Sequence, residues 1–228
     1  MGKSWFSTGD EVLERAQQYQ AELESSINAP KRFFLKPGKS AKVTFLDSAG
    51  FGFLEHRLSI DGNWNNFFTC LRDFSECPLC DSGDRPSYVV AWTIIDHSVF
   101  VSEKTGKEYK NQKKLLVAKR SVVSKLFRRK ESLENDLTMG LLSFHRDGYK
   151  ESACGEDIEV IRKLTKEELL KFKPPEVDEK AWRTPYDYME LFKPQSVDEL
   201  RRIVGEAPPV GSFSLSDKSD DDTLDSIF

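Results

Sequence analysis

Cys70, Cys77 and Cys80 stand in a C-x6-C-x2-C arrangement, three of the four cysteines in a chain of 228 residues. Thiolates bind borderline-soft cations, and the two residues between Cys77 and Cys80 let backbone amides face both sulfurs while one ion sits between them. A tetrahedral site needs a fourth ligand. His56 is the best placed, in the run leading into the cysteine loop; His97, His145 and Cys154 are the alternatives. Four protein ligands fill the coordination of one Zn2+ and leave no position for a catalytic water, so the expected role is structural. Such an ion contributes on the order of 10 kcal/mol to a loop with little core of its own. A redox role for Cys77-Pro78-Leu79-Cys80 would want a helix start in a βαβ context, which the surrounding sequence lacks.

Charge is the second chemical signal. The chain carries 34 Lys+Arg and 38 Asp+Glu. From Glu206 onward there are six acidic residues and one lysine, so the body holds 33 basic and 32 acidic residues. Residues 101–130 hold eleven basic residues against Glu103 and Glu108. The chain ends in Asp220-Asp221-Asp222-Thr223-Leu224-Asp225-Ser226-Ile227-Phe228. This segment is too acidic to bury itself and carries an apolar hook at its tip. A basic stretch opposed by an acidic tail is the electrostatic layout of a polyanion binder that carries its own competitor. The hook residues Leu224, Ile227 and Phe228, with Asp220, Asp221, Asp222 and Asp225, form a candidate docking segment for partner proteins.

The elements that must position these groups follow from period and punctuation. Thr8-Gly9-Asp10-Glu11 starts a helix whose apolar residues are Val12, Ala16, Tyr19 and Leu23, ended by Pro30. Strands are expected over 41–46, 52–60, 66–71, 88–101 and 109–117, with a hairpin tip at Lys104-Thr105-Gly106-Lys107. A helix is expected over 121–137, with Val122, Val123, Leu126, Phe127 and Leu133 inward, then a strand over 140–146. The pattern implies a mainly β fold with α appendages: a five-stranded Greek-key barrel of the OB type carrying an inserted zinc loop. The expected organisation is an N-terminal helix over 1–29 and a core over 30–157 with the zinc loop at 56–80. A helical appendage over 158–205, with Thr165 and Glu168 as a cap, and a disordered acidic tail over 206–228 complete it.

Other function classes find little support. There is no P-loop, no Gly-rich dinucleotide turn and no G-x-S-x-G elbow, and three histidines offer little general-base chemistry. The expectation is a protein that is not an enzyme. No run approaches the roughly 18–20 apolar residues of a membrane span, and the first residues lack a signal-peptide apolar region. A cytoplasmic location with no membrane partner is therefore expected, with cysteines kept as thiolates.

The chain resembles the zinc-containing single-stranded DNA-binding proteins of tailed phages. The likeness rests on Arg32-Phe33-Phe34-Leu35-Lys36-Pro37-Gly38, on the His56/Cys70/Cys77/Cys80 quartet and on the acidic terminal tail. It implies an OB-type core whose groove binds single strands and a structural zinc at the quartet. It also implies an infected-cell cytoplasmic location, self-association on DNA, and a tail that contacts polymerase, helicase-loader or recombinase-class proteins in replication, recombination and repair. The basic N-terminal arm of the best-known member has no counterpart, since Asp10, Glu11, Glu14, Glu22 and Glu24 here face only Lys3 and Arg15. A nonspecific single-strand binder needs a cationic track and rings on which bases stack. The basic candidates are Arg57, Arg72, Lys104, Lys107, Lys110, Lys113, Lys114 and Lys119. Among the rings Trp64, Phe67, Phe68, Tyr88, Trp92, Phe100 and Tyr109, about half belong to the core of a barrel. Trp92 lies in an apolar run, which leaves Trp64 and Tyr109 as the stacking candidates. The alternative is a zinc-ribbon adaptor of a transcription or replication complex, binding protein or duplex DNA.

Overall fold

A computed structural model describes residues 12–17, 30–60, 62–102 and 106–206. The chain divides into two units, Met1–Lys31 and Arg32–Phe228. In the first, residues 12–17 are helical (α1) and exposed. The expected tail lies outside the described residues apart from Glu206, which closes the last helix. No helix among the described residues is long and apolar enough to cross a membrane.

The second unit is mainly β with a few helices. Its strands are β1 Lys39–Phe45, β2 Phe51–Ile60, β3 Asn63–Thr69, β4 Ser87–Asp96, β5 Phe100–Val101, β6 Glu108–Tyr109, β7 Gln112–Lys119, β8 Gly140–Arg146 and β9 Asp157–Lys163. Seven of them form one open antiparallel sheet in the order β3-β2-β4-β1-β8-β9, with β7 on the second edge of β4. β5 and β6 pair separately, Phe100 opposite Tyr109, around the expected hairpin tip. The sheet thus has more strands than the five anticipated, and its ladder is open rather than closed. One added strand, β9, falls where helical appendage was expected; its Ile158 and Val160 alternate with charged residues, and it pairs along β8.

β4 organises the molecule. β2 pairs with its first half and β1 with its last three residues, while β7 runs along its other edge from Val89 to Asp96. Both faces are covered. Trp92 and Ile94 join the main core with Phe45, Leu116, Leu142 and Phe144, whereas Ile95 packs beneath Leu164, Leu169 and Trp182. That double coverage is why Val89–Ile95 reads as an apolar run interrupted only by Thr93 rather than an alternating one. The Phe45 ring meets Trp92 edge-on at 6.2 Å. Gly50 closes the approach to the same indole: it has φ +68°, and a Cβ there would stand 2.6 Å from the Trp92 ring.

Helix α3, Arg120–Lys130, plugs the main core with Val122 and Leu126, and a 3-10 turn Glu131–Leu133 adds Leu133. It stops short of 137 because Glu134 and Asn135 take positive φ. Phe127 is a correction to the expected inward set: it is 52% exposed, one residue past Leu126 and so about 100° around the helix from it.

After β9 the chain forms a strap across the sheet. It contains α4 Lys166–Leu170, α5 Glu179–Arg183, α6 Tyr188–Leu191 and α7 Val197–Glu206. Thr165 and Glu168 form the expected capping box on α4. The strap is fastened by successive contacts: Trp182 Nε1 donates to the Asn111 carbonyl at 2.9 Å, the Tyr186 N–H to Thr93 Oγ1 at 2.9 Å, and Tyr188 Oη to Asp47 Oδ2 at 2.5 Å. Phe192 then packs on Phe53 with ring centres 4.3 Å apart, and Thr69 Oγ1 donates to the Phe192 carbonyl.

Candidate metal centre and nucleic-acid face

His56 lies on β2, Cys70 directly follows β3, and Cys77 and Cys80 flank and enter the one-turn helix α2, Pro78–Asp81. Pro78 at the first helical position sets φ for that turn at no hydrogen-bond cost. The β2–β3 hairpin sets His56 opposite Phe68, so the histidine and the residue after the strand converge on the α2 turn. His56 is fully buried, and Cys70 and Cys77 nearly so.

The distances fit an ion. Zn–S bonds of about 2.3 Å and Zn–N bonds of about 2.0–2.1 Å place tetrahedral S···S edges near about 3.8 Å and S···N edges near about 3.6 Å. Cys70 Sγ stands 3.8 Å from Cys77 Sγ and 3.5 Å from Cys80 Sγ, and His56 Nε2 stands 3.4 and 3.5 Å from Cys77 and Cys80 Sγ. All four ligand atoms fall within 4.8 Å of one another, the one such group of histidine, cysteine or carboxylate residues among the described residues. The fourth-ligand choice resolves to His56. His145 bonds Ser40 and Asp147, His97 bonds Thr44 and Asn111, and Cys154 is buried beside Ser152.

Electrostatics around the sulfurs point the same way. Burial raises the Cys77 thiol, but N–H groups of Cys80 and Leu71 and the His56 side chain bring it down to about 7. Cys80 is pushed up to about 12 by burial and by the two neighbouring sulfurs. Three thiols packed so closely cannot all ionise without a cation among them. A bound divalent metal would supply that charge and tie β2, β3 and α2 together, with His56, Cys70, Cys77 and Cys80 as its ligands.

Asp84 completes the group and was not anticipated from the sequence. Its Oδ2 lies 2.5 Å from His56 Nδ1, so Nδ1–H donates to the carboxylate and Nε2 faces the sulfurs. A carboxylate behind a ligating histidine fixes its tautomer and raises its basicity. The available signal was an acid just past the Cys-Pro-Leu-Cys turn.

No protein-family model, no curated protein and no solved structure matches this chain. The remaining site assignments therefore rest on geometry.

The candidate nucleic-acid residues divide into three sets. Arg57 on β2 is exposed, donates through Nε to the Trp64 carbonyl at 2.8 Å, and holds its guanidinium 5.9 Å from the Trp64 ring and 5.8 Å from Phe67. Arg32 lies 3.5 Å over the other rim of this cluster, on Phe67, while paired with Glu55. The second set, Lys107, Tyr109 and Lys110, sits on the β5–β6 hairpin, with Lys107 5.2 Å from the Tyr109 ring and Tyr109 stacked on Phe100. These two sets flank opposite ends of β4: Glu55 of β2 is level with Ser87, where β4 begins, and the β5–β6 hairpin follows its end at Asp96. Lys119, opposite Val89, belongs at the Arg57 end.

The third set is committed elsewhere. Lys113 Nζ donates to the Ala181 and Thr184 carbonyls of the strap at 2.6 and 3.2 Å, and burial lowers its pKa. Lys114 forms a 2.9 Å ion pair with the buried Asp96. Arg72 is exposed in the metal loop beside Asp73. Lys104 and the tail residues fall outside the described residues. Trp92 is fully buried, whereas Trp64 and Tyr109 are half-buried. Two further exposed rings stand out: Tyr88, whose hydroxyl lies where a side chain at Gly52 would have to go, and Phe74 at the tip of the metal loop.

Proposed function

We propose that the protein is a non-catalytic, sequence-nonspecific single-stranded DNA-binding protein, similar to the zinc-containing proteins of tailed phages. It would protect and organise open strands in replication, recombination and repair. The observation that carries this reading is the arginine–ring cluster on the β2–β3 hairpin. An exposed guanidinium beside half-buried indole and phenyl rings offers both a phosphate contact and a stacking surface. Lys107, Tyr109 and Lys110 repeat that pairing at the far end of β4. Zinc at the quartet is structural on this reading, holding the hairpin in place.

A barrel of the OB type accounts for one further contact. Arg32 bridges Leu115 of β7 in parallel and the Leu35 N–H donates to the Ala153 carbonyl, so the segment before β1 lies between β7 and the β8–β9 connection. That arrangement favours a sheet curled toward closure. The acidic C-terminal segment would compete for the cationic surface and recruit polymerase, helicase-loader or recombinase-class proteins. Phe74, 67% exposed on the metal loop, favours the second reading, a zinc-stabilised adaptor that binds protein.

The test is a titration of intrinsic fluorescence with single-stranded oligonucleotide, with duplex as control, at low and moderate salt. Tight, salt-sensitive binding to single strands is expected. Trp64→Ala should weaken it by about 1–3 kcal/mol, roughly fivefold to 150-fold. Removing residues 207–228 should strengthen it most at low salt, where charge contacts are least screened. Silence from both the full chain and the truncated form would overturn the reading and leave the adaptor.

A further inference from the structure

We propose that the metal centre extends to α7: the helix is a lid on the metal loop, and Leu200 is a positioning residue for the ion. The inference rests on the metal reading of the quartet and not on DNA binding. Leu200 is fully buried in one cluster with Cys70, Leu71, Cys77 and Leu79 of the metal loop and Leu58 of β2. Val197, Ile203 and Val204 of the same helix face pack against that cluster, and Arg201 reaches across to Glu76 in the loop between the cysteines at 2.5 Å.

This cluster is separate from the main core and from the one beneath the strap. Two of its six buried members, Cys70 and Cys77, belong to the metal quartet. The apolar surface that α7 covers is therefore built on a loop whose shape depends on the ion. The one regular element between β3 and β4 is a single helical turn, so without metal the loop loses the tie among its cysteines and α7 loses its seat. Linkage makes the dependence reciprocal: if metal favours docking of α7, docked α7 must tighten metal binding by the same factor.

The experiment uses the full-length chain and Co2+ and Zn2+ alone as probes. Co2+ reports a tetrahedral cysteine–histidine site by its visible absorption, and Zn2+ affinity follows by competition with a chromogenic chelator. Leu200→Ala is expected to weaken Zn2+ binding at least tenfold, and the conservative Leu200→Met to restore it to within about threefold of the parent. Arg201→Ala, an exposed change, is expected to cost about twofold. Hydrogen exchange should show residues 197–206 losing protection on metal removal while 112–118 keep theirs. Equal Zn2+ affinity in the parent, Leu200→Ala and Arg201→Ala overturns the proposal, as does equal protection of 197–206 with and without metal. Should metal removal unfold the main sheet as well, the affinities of the loaded variants decide. A parent chain that takes up neither ion removes the metal reading itself, before any variant is made.

Discussion

Asp84 shows how a residue with no striking sequence context acquires a role from one contact. It sits one turn past Cys80 and aims a carboxylate at the far nitrogen of His56, which leaves Nε2 as the nitrogen that faces the sulfurs. Asp84→Asn keeps the shape but removes the charge that strengthens the imidazole as a ligand. Zn2+ affinity should fall about 10–100-fold, measured by chelator competition, with the fold retained in the loaded form. An unchanged affinity would reduce Asp84 to a surface carboxylate. Lysines teach the converse lesson. Lys113 and Lys114 belong to the basic run that first suggests a polyanion track, yet one is bonded to strap carbonyls and the other to a buried aspartate. Their charges serve packing.

At the scale of elements, β4 and the turns that frame it carry most of the architecture. Gly50 is one such constraint, since an added methyl meets both a left-handed backbone and the buried Trp92 ring. Gly50→Ala should cost about 2–4 kcal/mol of stability, combining the positive-φ cost with overpacking, read from the urea midpoint at constant slope. The turn before β8 makes a prediction in pH. Burial acts to raise the Asp136 pKa, but the Thr138 N–H and hydroxyl, the Ser48 hydroxyl and Lys163 outweigh it and bring it down to about 2. A carboxyl depressed in the folded state stabilises above its unfolded value of 3.8 and loses that contribution as pH falls toward 2. Asp136→Asn should therefore flatten the acid limb of stability between about pH 5 and 2 relative to the parent, as followed by thermal melts. Parallel curves would show the carboxylate to be already screened by its partly exposed position.

For the whole molecule, the distance between the two arginine- or lysine-with-ring clusters matters more than the charge count. Ten residues of β4 at about 3.3 Å each separate the ends they flank. On the single-strand reading proposed above, a strand engaging both must be longer than one engaging either alone. Affinity measured against oligonucleotides of increasing length should rise in two stages. The shortest should be sensitive to Trp64→Ala or to Tyr109→Ala but not to both, and the longest to both. A smooth rise with no change in mutational sensitivity would place all binding at one end. The strap gives the molecule its second organising feature. It crosses the sheet from β9 to the metal loop and joins two satellite cores to the outer face.

The cysteine spacing, His56, most strand positions and the capping box of α4 were legible because each depends on local chemistry: ligand bite, alternation or a side chain reaching its own backbone. Trp92 was legible as core because a run buried on both faces is apolar at nearly every position, Thr93 being the exception here. The rest was decided by contacts between distant residues. β9 looked helical because its outward face is charged, and only pairing with β8 selects the extended form. Phe127 lies one residue from Leu126, and the packing angle of α3 on the sheet sends one inward and the other to solvent. Which lysines remain exposed, that Asp84 backs His56, and that α7 closes over the metal loop all depend on residues between 18 and more than 120 positions apart. Sequence composition supplies such groups, but their pairing is fixed by how the sheet brings its edges and the strap together.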